Sequence, residues 1–141
     1  MRVLSLIPVI ACISCGGAEA PVTSPPPAAF SQIDLVTGTG PVARRGARLT
    51  VHYTGWLYDA NRLDQKGKQF DSSSGSEPFT FRLGAGEVIK GWDQGFEEMR
   101  VGGKRRLILP PDLGYGAAGQ PDGSIPADTG LLFEMELIDV R

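Results

Sequence analysis

The sequence predicts an α+β fold, a curved antiparallel sheet with one short helix packed against it. Leu49, Val51 and Tyr53 alternate with Thr50, His52 and Thr54. Leu131, Phe133, Met135 and Leu137 likewise alternate with Leu132, Glu134, Glu136 and Ile138. This is the two-residue period of a strand with one face against a core. Ile89, Trp92, Phe96 and Met99 instead recur at three and four residues, which places them on one stripe of a helix. The 19 glycines and 11 prolines among 141 residues favour many turns and short strands over a helical bundle.

The chain opens with one positive charge, Arg2, and the apolar run Val3 to Ile13. At roughly ten apolar residues this run is too short for a membrane-spanning helix, which needs about 20. A positive start with a short apolar stretch is the pattern of a signal peptide, here residues 1–15. It resembles a bacterial lipoprotein signal, in which a cysteine becomes the lipidated first residue. Two cysteines compete for that role. Val9-Ile10-Ala11 fits the pattern better before Cys12, whereas Cys15 leaves a more usual leader length and is followed by Gly16 and Gly17. Cys15 is preferred, with Cys12 the alternative and an ordinary cleaved secretory signal the third option. The expected location is the periplasmic side of a bacterial cell envelope, with membrane contact only through a lipid anchor. Residues 16–30 are mostly Gly, Ala, Pro, Ser and Thr and include Pro25-Pro26-Pro27, the composition of a semi-rigid tether.

The domain is expected over residues 31–141. Gln32 to Val36 forms a first strand that Thr37-Gly38-Thr39-Gly40-Pro41 ends. Leu49 to Thr54 forms the second, with Gly55 read as an interrupting bulge. Residues 58–68 are polar and form a longer excursion before Phe70-Asp71. Pro78 to Leu83 is a short strand with Phe79, Phe81 and Leu83 on one face. The helix follows and stops at Gly102-Gly103. Arg105 to Leu109 is a strand closed by Pro110-Pro111, a loop runs to Asp128, and the alternating segment from Leu131 is the last strand. No internal repeat points to a solenoid or propeller.

Formal net charge is -2, and no basic face suggests nucleic acid as a partner. The one basic cluster, Lys104-Arg105-Arg106, is expected to be a solvated strand edge. Both cysteines lie in the leader and His52 is the only histidine. A structural zinc site takes four ligands and a histidine relay needs a nucleophile; these residues assemble neither, so no metal and no cofactor are expected. Ser72 to Ser74 lack a partner base. His52 should face away from Tyr53 as a structural or surface residue. Gly84-Ala85-Gly86 lacks the spacing and the Lys-Ser pair of a phosphate loop and is a tight turn.

Several segments, in order, resemble one family. They are Val51-His52-Tyr53-Thr54-Gly55, Phe70-Asp71-Ser72-Ser73, Pro78-Phe79-Thr80-Phe81 and Glu87-Val88-Ile89-Lys90-Gly91-Trp92. Met99-Arg100-Val101-Gly102-Gly103, Pro111-Asp112-Leu113-Gly114-Tyr115-Gly116, Ile125-Pro126 and Leu132 to Leu137 complete the set. Together they are similar to the FKBP-type peptidyl-prolyl isomerases across residues 31–141. The resemblance implies a five- to six-stranded antiparallel sheet wrapped around one short helix. It also implies a substrate pocket floored by Trp92, walled by Tyr53, Phe70, Val88, Ile89 and Phe133, with Phe79 and Ile125 at the rim. Asp71 and Tyr115 would supply polar contacts and the Ile89 N–H would receive a substrate carbonyl. Tyr53, Asp71, Trp92, Tyr115 and Phe133 are the implied catalytic set. Implied partners are proline-containing polypeptides and the macrolide inhibitors of the family; a monomer is expected because no long helical segment ahead of the domain offers dimerisation, with other association left open.

Three features depart from the family pattern. Ser72 to Glu77 contains no arginine to brace Asp71, which leaves the Tyr53 hydroxyl as its expected support. Gly130 stands where a threonine or serine is common, and the 58–68 stretch is an insertion. Rotation about an X-Pro bond breaks amide resonance but no covalent bond, so a site without nucleophile or metal suits it. A non-catalytic chaperone or proline-peptide binding module using the same pocket is the alternative.

Overall fold

The computed structural model describes residues 28–141, so the leader with Cys12 and Cys15 lies outside the described residues. Six strands and one helix follow in order. They are β1 (Ser31–Val36), β2 (Arg48–Tyr58), β3 (Lys66–Ser72), β4 (Phe79–Arg82), α1 (Lys90–Gly95), β5 (Lys104–Leu109) and β6 (Leu131–Val140). Every strand pairing is antiparallel, in the order β1-β5-β6-β2-β3. β2 is the longest strand, and one of its edges serves two partners. Arg48 to Val51 pair with β4, and Thr54 to Tyr58 pair with β3.

The period-two segments make the centre of the sheet. β2 and β6 pair from Leu49 opposite Val140 to Leu57 opposite Leu131. Leu49, Val51, Leu131, Phe133, Met135 and Leu137 point to one face, where they bury against Trp92, Phe96 and Met99. Burying each such side chain contributes about 1.5–3 kcal/mol before ordering costs. The opposite face carries a smaller cluster of Ala28, Ile108 and Leu132, flanked by Trp56 and Tyr58.

The helix is shorter than its apolar stripe. Phe96 and Met99 are buried as the stripe requires, but α1 ends at Gly95. Glu98 takes a left-handed φ of 65° and gives its N–H to the Ala43 carbonyl at 3.0 Å. A tertiary hydrogen bond thus captures the backbone before the helix can extend. Gly91 and Gly95 have a packing role that outweighs their poor helix propensity. A Cβ at either position would collide with Leu109 or Leu107 of β5, so glycine lets the helix sit directly on the sheet.

Two local expectations are corrected. Gly55 does not interrupt β2, which runs on to Tyr58. The bulge is on the facing strand: Gly55 pairs with Asp71 and Trp56 with Gln69, which leaves Phe70 as the extra residue. The basic cluster is also not a uniformly solvated edge. Arg105 is 6% exposed, and its Nε donates to Asp34 Oδ1 at 2.6 Å. Its guanidinium donates again to the carbonyls of Gly95 at 2.7 Å and Glu97 at 3.2 Å. Alternation turns Arg105 inward while Lys104 stays exposed.

The departure at Gly130 has a steric basis. A Cβ there would collide with Ala28, which packs on the outer face of the sheet. Part of the 58–68 insertion is sheet, because β3 begins at Lys66. Its remainder turns over the outer face, where Arg106 donates to the Asp64 carbonyl and Lys66 pairs with Glu134 at 2.8 Å.

Candidate active site

A pocket of about 420 Å³ opens between the sheet and the segment entering α1. β2 supplies Tyr53, β3 supplies Phe70 and Asp71, β4 supplies Phe79, and β6 supplies Phe133. Val88 and Ile89 come from the approach to α1, Trp92 from the helix, and Tyr115 from the loop beyond β5. Elements distant in sequence meet here because β2 and β6 are central neighbours and the helix packs across them.

Trp92 is the hub of the apolar part. Its ring lies 4.8 Å from Tyr53 and 5.3 Å from Phe133, both edge-to-face. Phe79, Phe81 and Phe96 stand at 6.0, 5.8 and 5.5 Å. Phe70 in turn packs edge-on to Phe133 at 5.6 Å. Such pairs contribute about 0.5–1.5 kcal/mol each beyond the area they bury, so the walls are held by one another. Trp92 is only 5% exposed, and its Nε1 has no partner among the described residues. Phe79, by contrast, is 41% exposed and forms a rim.

The polar edge is built without a cation. The Tyr53 hydroxyl donates to Asp71 Oδ2 at 2.7 Å, and the Ser72 N–H donates to Oδ1 at 2.8 Å. Burial, and then the hydrogen bond and charge of Asp71, hold the Tyr53 hydroxyl protonated well above the ordinary phenol range. Beyond Asp71 the chain is pinned to β2 by serines. Ser73 is buried; its Oγ accepts the Tyr53 N–H at 2.8 Å and lies 2.9 Å from His52 Nδ1. The Ser73 N–H donates to the Tyr53 carbonyl at 2.9 Å, and Ser72 Oγ lies 3.0 Å from Thr54 Oγ1.

A second concavity of about 380 Å³ lies on the other face, with His52, Thr54, Ser73, Lys104, Glu134 and Glu136 in its lining. It has no aromatic wall apart from Tyr53, and it is lined largely by the polar positions of the alternating strands. The aromatic pocket is therefore the better candidate for binding an apolar ring.

Comparison with known proteins settles the family. The model of the FKBP-type peptidyl-prolyl cis-trans isomerase matches residues 40–138. The chain belongs to the FKBP-type peptidyl-prolyl cis-trans isomerase family. An FK506-binding protein of Neisseria meningitidis is 49% identical over 108 residues, covering 76% of this chain and 92% of the relative. The crystal structure of AtFKBP13 superposes with a TM-score of 0.67 at 41% identity, covering 79% of this chain and 93% of that one. FkpA from Escherichia coli gives a TM-score of 0.66 at 37% identity, and the match covers 79% of this chain and 48% of that longer one. The six-stranded sheet with one short helix is the fold of this FKBP-type chain and of its neighbours.

Within this FKBP-type domain, nine of the ten expected pocket residues do line one cavity: Tyr53, Phe70, Asp71, Phe79, Val88, Ile89, Trp92, Tyr115 and Phe133. Ile125 does not. It is 2% exposed, belongs to the hydrophobic core and is missing from the pocket lining, so its expected place at the rim is corrected. Its carbonyl takes the Gln120 N–H at 2.9 Å within the same loop. Sequence reasoning missed Gly86 and Glu87 in the lining. Their only signal is adjacency to Val88. It also missed Ser73, whose role depends on a register that spacing does not reveal.

Proposed function

We propose that this isomerase turns X-Pro bonds within the aromatic pocket, with Trp92 as floor and the Tyr53–Asp71 pair as polar edge. The observation that carries this reading is the enclosure of an apolar floor by rings from four strands and the helix, with the hydrogen-bonded Tyr53–Asp71 pair in the same lining.

The barrier to X-Pro rotation comes from amide resonance, roughly 18–20 kcal/mol, and uncatalysed exchange takes tens to hundreds of seconds. The planar amide has more separated charge than the twisted one. Water therefore favours the planar form, and an apolar site narrows that advantage. A box shaped to the twisted bond adds stabilisation that neither planar isomer receives. Each tenfold acceleration takes about 1.4 kcal/mol, so a few contacts suffice for several orders of magnitude.

Trp92 and Phe133 would hold the proline ring. The Ile89 N–H makes no hydrogen bond among the described residues and would donate to the carbonyl that follows the proline. Tyr115 and Asp71 would orient the carbonyl that rotates. The same pocket would take the macrolides named in its FK506-binding relatives. The leader supports a further step: an envelope protein, lipidated at Cys15 or Cys12, that assists folding of exported clients as a monomer.

A protease-coupled assay on a proline-limited substrate tests the catalytic reading. Wild-type activity no greater than that of the Phe133→Ala, Asp71→Ala double variant would overturn it. A thermal shift with FK506 checks ligand binding. Mass spectrometry of the mature N-terminus checks lipidation, and an unacylated start would remove the anchor.

A further inference from the structure

Asp71 sits on a short length of regular strand. Its neighbour Phe70 is the bulged residue of β3, and the turn that leaves the strand begins at Ser73, whose carbonyl accepts the Ser76 N–H at 3.0 Å. The pairs Gly55–Asp71 and Thr54–Ser72 are all the ladder between bulge and turn. Opposite them, β2 has a gap along the same edge. β4 pairs as far as Val51 and β3 from Thr54 onward, so neither strand gives Tyr53 a ladder partner. Ser73 fills that gap with backbone and side chain together. Its N–H donates to the Tyr53 carbonyl at 2.9 Å, and its Oγ accepts the Tyr53 N–H at 2.8 Å. The hydroxyl takes the place that the Ser73 carbonyl would hold in a continuing ladder, and the carbonyl is released to start the turn. Its own proton has two acceptors: the Tyr53 carbonyl at 3.3 Å, and His52 Nδ1 at 2.9 Å when Nε2 carries the ring proton.

We propose that Ser73 is a positioning residue of this isomerase: by clamping the Tyr53 backbone, it sets where the Asp71 carboxylate meets the Tyr53 hydroxyl. The inference rests on the reading above, in which the Tyr53–Asp71 pair is the polar edge. The contacts close a ring. The Tyr53 hydroxyl donates to Asp71 Oδ2, the Ser72 N–H donates to Oδ1, and Ser73, next in the chain, returns to the Tyr53 N–H. Asp71 is exposed and belongs to no ion pair among the described residues, so these neutral contacts orient it. Removing the Ser73 hydroxyl leaves the Tyr53 N–H without its acceptor and loosens the end of β3 against β2. A misplacement of about 1 Å at a reacting group can cost roughly a hundredfold, so a partial shift is worth about five- to tenfold. His52 steadies the hydroxyl from the concavity on the other face and does not line the aromatic pocket.

The test is a double-mutant cycle on the full chain, with kcat/KM on one proline-containing peptide as the readout and near-UV circular dichroism to confirm folding. Ser73→Ala should lower kcat/KM about five- to tenfold. In an Asp71→Ala background the same substitution should change it less than about twofold, because the group it positions is gone. A merely structural role predicts the same factor in both backgrounds, and that result overturns the inference while leaving the isomerase reading intact. Wild-type kcat/KM in Ser73→Ala also overturns it. If Ser73→Ala does not fold, His52→Leu decides through the same cycle. It keeps the hydroxyl and should cost about twofold only where Asp71 is present; equal factors overturn the inference. Full activity in Asp71→Ala overturns both the inference and the role of the polar edge. No turnover by the wild type overturns the isomerase reading and the inference with it.

Discussion

The Phe70 ring occupies the space that a side chain at Gly55 would need. A Cβ built on Gly55 falls 2.6 Å from Phe70 Cζ and 2.8 Å from Phe133 Cε1. Gly55 lies on β2 and is buried, while the bulge that aims Phe70 lies opposite on β3. One missing methyl group therefore allows two pocket rings to pack edge-to-face.

Gly55→Ala should accordingly displace both rings. Overpacking of this kind costs about 1–3 kcal/mol of stability. Activity should fall further than that loss of folded protein explains, because Phe133 and Phe70 are pocket walls. Urea unfolding with isomerase assays well below the midpoint separates the two effects. Full activity in the folded variant would show that these rings can move without consequence.

Tyr53→Phe keeps the ring against Trp92 and removes only the donor to Asp71. The Ser72 N–H would then be the remaining donor from this pair of contacts. A hydrogen bond of this type contributes about 1 kcal/mol, so stability should change by no more than that. If Asp71 orients the rotating carbonyl, kcat/KM should drop roughly three- to tenfold, the equivalent of about 1 kcal/mol in the barrier. An unchanged kcat/KM would mean that the hydroxyl serves packing alone.

Alternation made the sheet legible. Leu49 to Thr54 and Leu131 to Ile138 take the faces their period assigns, and β2–β6 pairing follows. The pocket's aromatic residues were legible only because ordered motifs resembled a family; periodicity alone cannot tell Phe133 in a pocket from Leu137 in the core. What stayed hidden depends on tertiary partners. The helix stops early because Ala43, far away in sequence, captures the Glu98 N–H. Ile125, in a loop with no period to assign its face, packs into the core. Arg105 looked like its neighbours because the acceptors that bury it, Asp34, Gly95 and Glu97, lie on other elements.

Arg105 should therefore be worth far more than Arg106. Arg105→Met retains bulk but leaves the Gly95 and Glu97 carbonyls without their donor and breaks the pair with Asp34. The expected cost is about 2–4 kcal/mol. Arg106→Met removes a surface contact to Asp64 and a buried Nε that has no partner, so its cost should stay below about 1 kcal/mol. Chemical denaturation of both variants provides the comparison. Equal costs would mean that the buried cation contributes no more than its solvated neighbour.

Alkaline pH should reveal the burial of Tyr53, and its bond to Asp71, as a loss of stability. Burial and Asp71 raise the Tyr53 ionisation above its value in the unfolded chain, so the folded state holds this proton more tightly. Below the ordinary phenol range, near 10, both states are protonated and the site adds no pH dependence. Above about 10 the unfolded chain releases the proton first, so it binds fewer protons than the native state and stability falls with rising pH. The stabilisation is thus fully present below that value and is lost as pH climbs toward the folded-state value. Lysines and other tyrosines titrate in the same window, which makes the difference from Tyr53→Phe the useful quantity. Between about pH 9 and 11, wild type should lose more stability than the variant, as measured by urea unfolding at each pH. Parallel losses would show that folding does not change how firmly Tyr53 keeps its proton, and would remove the Asp71 hydrogen bond as a fixed feature of the pocket edge.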